Sequence, residues 1–135
     1  MIFINNTDSS IPLTLIKLLN KEGFSNLLII NPNPPLLSEI EYFDSIQIKE
    51  LEYYLDKYQW EAEMFIYINT LDLDLDWVIK KCSDFQIPLL AINANENSVD
   101  KNQNSPFYFK FYKWEGESIT NEEKEKLLSL IRLNK

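Results

Sequence analysis

The chain has no histidine, one cysteine (Cys82) and two glycines (Gly23 and Gly116) among its 135 residues. Without histidine, the commonest general base and zinc ligand is missing, and a cysteine nucleophile has no usual partner. A lone cysteine excludes a disulfide scaffold and fits a reducing, cytoplasmic setting. Two scattered glycines exclude the GxGxxG and P-loop patterns that cradle phosphates. No run approaches the ~18 consecutive apolar residues of a membrane span. The opening MIFINNTDSS has neither a basic n-region nor a small-residue cleavage site, so it does not read as a signal peptide. Bases are also scarce: 13 Lys and Arg against 21 Asp and Glu give a net charge of −8. That balance argues against nucleic acid and anionic membrane surfaces as partners, because both are polyanions.

Acid and apolar side chains are abundant. Residues 39–76 hold 11 acids and only Lys49 and Lys57 as bases, a local net of −9. Hydrophobic content of 45%, with 13% aromatics, is ample for a core. The length suits one domain, residues 1–135.

Short apolar runs alternate with helical periodicity. Strands are expected at Met1–Asn5, Asn26–Asn31, Met64–Thr70, Ile87–Asn93 and Pro106–Trp114. A first helix is expected from a Ser9 or Ser10 cap to about Glu22. Pro12 falls in its first turn and Gly23 at its left-handed end. Further helices are expected over Lys49–Glu61, Leu75–Gln86 and from the capping box Thr120–Glu123 through Leu133. Asn31–Pro35 is expected as a turn or extended loop. Residues 36–48 admit more than one assignment, a short strand at Ser45–Ile48 among them. Residues 94–105 are expected as a disordered polar loop, and Glu115–Glu117 as a turn.

This order implies a three-layer, doubly wound α/β fold around a five-stranded, mostly parallel sheet. The last strand is either antiparallel or reached by a long unstructured crossover. The layout resembles the flavodoxin and response-regulator receiver architecture. A receiver would carry acids after its first strand and a phospho-accepting Asp at the end of its third. Asn5, Asn6, Asn69 and Thr70 stand at those places, so no phosphorylation chemistry is implied. IFINNTDSS followed by a Leu-rich helix is similar to the opening of TIR domains, but no catalytic glutamate can be placed.

Three segments carry candidate chemistry. The first loop, Asn6–Ser10, lies where doubly wound folds bind phosphate, but its lack of glycine favours simple helix capping. Asp72, Asp74 and Asp76 alternate with leucines after the third strand. Trp77 stands where a calcium loop needs glycine, so solvated acids are expected rather than a metal site. On the helix over Lys49–Glu61, a spacing of 100° per residue puts Glu52, Asp56, Gln59 and Glu63 on one acidic stripe. Tyr53 and Trp60 lie beside it, and exposed aromatics among acids resemble an interface hot spot. Cys82 shares a stripe with Val78 and Phe85 and is expected to be buried and structural.

The leading expectation is a cytoplasmic protein-binding domain with no cofactor, no metal and no catalytic residues. It would be an immunity protein or antitoxin that neutralises a basic, nuclease-like partner. Glu52, Tyr53, Asp56, Trp60, Glu63, Asp72, Asp74 and Asp76 would form its contact surface. The alternatives are a small-ligand or nucleotide-acting enzyme with a phosphate site at the first loop, and a degenerate receiver-like signalling adaptor.

Overall fold

A computed structural model describes residues 1–40, 43–94, 109–114 and 119–132. Its strands are β1 (Ile2–Asn5), β2 (Leu27–Ile30), β3 (Asp44–Ile46), β4 (Met64–Ile68), β5 (Leu89–Ile92) and β6 (Phe109–Tyr112). They form one sheet in the order β3-β2-β1-β4-β5-β6, and every neighbouring pair is parallel. The α/β fold with a parallel sheet between helices is the expected class. The strand count is one more than expected, and the final strand is parallel to β5 rather than antiparallel. Parallel pairing of β5 and β6 demands a crossover rather than a tight turn between Ile92 and Phe109. The expected disordered segment and the turn at Glu115–Glu117 lie outside the described residues, Ala94 apart.

β1, β2, β4 and β5 are buried on both faces, so their side chains divide into two cores. One face presents Ile2, Ile4, Leu27, Ile29, Met64, Ile66 and Ile68 to α1 (Ile11–Lys21), α2 (Pro34–Glu39) and the final helix, α5 (Asn121–Arg132). The other presents Phe3, Leu28, Ile30, Phe65 and Tyr67 to α3 (Leu51–Lys57) and α4 (Leu75–Asp84). Phe3 and Phe65 stack across adjacent strands, 5.9 Å between centroids. Because the chain leaves β1 in one direction and returns through β4 in the other, β1 and β4 are the topological switch point of the sheet.

Helix ends follow local chemistry. Gly23 at φ +93° closes α1: its N–H reaches Asn20 O, and the Phe24 N–H reaches Leu19 O. That pair of bonds is the Schellman motif. The same two bonds close α4, from Gln86 to Ser83 O and from Ile87 to Cys82 O, with Gln86 at φ +56°. At the other end of α1, Ser10 is the N-cap residue but makes no side-chain cap bond, contrary to expectation. The Pro-rich stretch, expected as loop, opens α2 instead. Asn33 accepts from the Leu36 N–H, and Pro34 and Pro35 occupy positions that need no donor.

The third helix is shorter than expected. A single 3-10 turn (Ile48–Glu50) leads into α3, which stops at Lys57. Its last turn closes through the Tyr58 N–H to Tyr54 O and the Glu61 and Ala62 N–H groups to Tyr58 O. The chain must turn there because β4 begins at Met64, tied to Met1 by the Glu63 N–H on Met1 O. Gln59 and Glu63 are therefore off the helix, and the acidic stripe expected from helical spacing breaks after Asp56.

Candidate functional site

Ligands of open α/β sheets bind beyond the carboxyl ends of the strands, at the switch point. Here that edge is edged by asparagine. Ile4-Asn5, Ile30-Asn31, Ile68-Asn69 and Ile92-Asn93 end β1, β2, β4 and β5. Three of the four side chains bond to the backbone beyond their own strand. Asn5, the one buried polar side chain among the described residues, donates to Ile68 O and accepts from the Ile68 N–H, both at 2.8 Å. Asn93 makes the same paired contact with Trp114, at 3.1 and 2.8 Å. Asn31 accepts from the Ile48 N–H at 2.8 Å. Each amide lengthens a ladder by a side chain where the main chains diverge. Asn31 and Asn93 take left-handed backbone to do so, at φ of 55° and 56°, which asparagine tolerates better than most residues.

Asn69 is the exception. It is exposed, and its side chain makes no hydrogen bond among the described residues. It lines a crevice of about 370 Å³ between the loop after β1 and the loop after β4, together with Thr7, Asp8, Ser9, Thr70, Leu71 and Asp72. Both walls are held from within. The Thr7 and Ser9 hydroxyls are 2.8 Å apart, and the Ser9 N–H reaches Thr7 Oγ1. The Tyr67 hydroxyl donates toward Thr70 O and Leu73 O, at 3.1 and 2.8 Å, and the Asp72 N–H reaches Thr70 Oγ1. Burial pushes the Tyr67 hydroxyl above its ordinary pKa, so it stays a donor.

The acidic helix forms a second surface. Leu51 and Leu55 anchor α3 in the core, which leaves Glu52, Tyr53 and Asp56 exposed. Tyr53 is 64% exposed and Trp60, in the turn beyond, 90% exposed. Both rings are therefore open to solvent. Lys57 Nζ lies 6.0, 5.8 and 5.1 Å from the ring centroids of Tyr53, Tyr54 and Tyr58, so this aromatic group already faces a cation. Gln59 Nε2 donates to Asp56 O and Oδ1. Glu52 pairs with Lys81 at 2.6 Å, a bond that raises the Lys81 pKa.

The eight residues expected to share one contact surface do not sit together. Glu52, Tyr53 and Asp56 lie on α3. Trp60 and Glu63 lie past its end, where Met1 enters the sheet. Asp72 and Asp74 follow β4, at the opposite end of that strand, and Asp76 lies in the first turn of α4. The charge belt is also divided: Glu39 pairs with Lys17 across α2 and α1, over the other face of the sheet.

In the Asp72–Asp76 segment, Leu73 and Leu75 are buried while all three aspartates are exposed. Asp74 is the N-cap residue of α4 without a side-chain cap bond. No group of three His, Cys, Asp or Glu side chains could hold a metal among the described residues. Cys82 is fully buried, and burial pushes its thiol strongly upward in pKa. No described helix is long and apolar enough to cross a membrane.

No protein-family model, no curated protein and no solved structure matches the chain. The fold defines a doubly wound α/β protein, and function must be argued from its surfaces. The asparagine edge carries no conventional motif, because each Ile-Asn pair is only two residues long. Its signal is positional: four apolar runs end in the same dipeptide.

Proposed function

We propose that this chain is a binding module for a basic protein, engaged through α3 and the turn that follows it. Trp60 carries the proposal. A tryptophan left 90% exposed, where most large apolar side chains among the described residues are buried, is the kind of side chain that anchors interfaces. Tyr53 extends the apolar contact, and Glu52, Asp56, Glu61 and Glu63 surround it with exposed carboxylates. Such a surface attracts a basic partner from a distance and holds it through the rings. An immunity protein or antitoxin that occludes the positive groove of a nuclease is the concrete form this takes. The acids after β4 lie outside this contact.

Affinity capture with the wild type, Trp60→Ala and the double reversal Glu52→Lys, Asp56→Lys tests the proposal. The wild type should retain a basic protein that rising salt releases. Trp60→Ala should lose it through faster dissociation, and the charge reversal through slower association. Retention of the same proteins by all three chains counts against the proposal.

A further inference from the structure

A crevice built at the switch point, with one strand-end amide left unused, is unexplained by protein binding at the opposite end of β4. Its lining is selective by composition. It holds no Lys or Arg, and it carries the Asp8 and Asp72 carboxylates, so phosphates and other anions are repelled. The glycine-free loop after β1 offers no close backbone approach to a pyrophosphate. Leu71 is the one large apolar side chain in the lining, so the lining offers no slot that would grip an aromatic ring from both sides. It is also fully exposed, on a loop that Tyr67 holds in place.

What remains is an amide, three hydroxyls and two carboxylates. The carboxylates only accept. The Asn69 amide both donates and accepts, and so do the hydroxyls of Thr7, Ser9 and Thr70 with the capacity left beyond the bonds they make to one another and to the backbone. An ammonium group would satisfy the carboxylates but offer no acceptor to the amide or hydroxyl protons. A vicinal diol satisfies both, because each hydroxyl donates and accepts. We infer that the crevice between the β1 and β4 loops binds an uncharged, polyhydroxylated molecule through its diol, with Asn69 and Asp72 as the main contacts and Leu71 against its C–H face. Such a diol could belong to a free sugar or to a nucleoside ribose.

Amide chemical shifts followed during titration of the full chain test this directly. Ribose, adenosine, 2′-deoxyadenosine, spermidine and inorganic phosphate are the probes. Ribose or adenosine should produce saturable shifts confined to Thr7–Ser9 and Asn69–Asp72. Adenosine binding the tighter of the two assigns the source as a nucleoside; ribose binding as tightly assigns a sugar. Loss of one diol hydroxyl in 2′-deoxyadenosine relative to adenosine, or Asn69→Ala, should weaken binding about tenfold or more. Asp72→Asn should weaken it less, since the amide still accepts. Thermal melting of each variant checks its fold. Trp60→Ala should bind the diol normally, which keeps this site separate from the protein surface. Saturation by spermidine or phosphate at these residues, or no saturable shift with either diol, overturns the inference.

Discussion

Asn5 offers the sharpest test of how this sheet is held. Its side chain is 2% exposed and makes two 2.8 Å bonds to the backbone of Ile68. Asn5→Ala removes both partners and leaves a buried N–H and a buried C=O unsatisfied. Each orphaned group costs about 1–3 kcal/mol, so the loss should be about 2–6 kcal/mol. Against a total stability of about 5–15 kcal/mol, that is a large fraction. Urea unfolding should show a lower midpoint with an unchanged slope. Asn5→Asp separates the two bonds. A carboxylate can accept from the Ile68 N–H, but only a protonated carboxyl can also donate to Ile68 O. The buried group should therefore titrate above the ~3.9 of a free aspartate. Between those two values the native state holds the extra proton. Relative to the wild type, the variant should then be most stable below about pH 4 and lose stability as pH rises. An Asn5→Ala variant within about 0.5 kcal/mol of the wild type would refute the claim that a side chain finishes this ladder.

Three further outcomes follow from particular contacts. Gln86 occupies the left-handed position that Gly23 fills at the end of α1, so Gln86→Gly should stabilise by about 1 kcal/mol and Gly23→Ala should destabilise by a similar amount, both read by thermal melting. Cys82 should react with a thiol reagent only as fast as the protein unfolds; because burial raises its pKa, its contribution to stability is intact below about pH 8.5 and falls above it, a decline that Cys82→Ala should remove from alkaline titrations. Trp60→Ala should change stability by less than about 0.5 kcal/mol, since the ring packs on little, and a larger loss in denaturant unfolding would mean that it is part of the fold.

Four of the strands were legible because they are buried on both faces. IFIN, LLII, MFIYI and LLAI read as continuous apolar runs, and each became a parallel strand. β3 was hard to see because two of its three residues are exposed and only Ile46 is buried. The end of α3 was not legible either. Periodicity continues through Trp60, but the ladder between Met1 and Glu63 requires the chain to turn before β4, and that is a tertiary demand. The exposure of Tyr53 and Trp60 could be argued from helical spacing only in part. Tyr53 does lie on the helix, whereas Trp60 is exposed by the turn beyond it. The crevice at the switch point needed strand order, and strand order places the loops after β1 and β4 side by side though they are far apart in the chain.

The shortness of β3 bears on how the molecule behaves at high concentration. A parallel sheet ends in unpaired backbone groups, which invite another chain to add a strand. β3 offers that invitation over three residues, with Asp44 and Ser45 facing solvent. An incoming strand would gain few hydrogen bonds and would have to approach an aspartate. On this side of the sheet, growth from copy to copy is unrewarding, so the large exposed side chains elsewhere can remain open to other molecules without turning the protein into a template for itself.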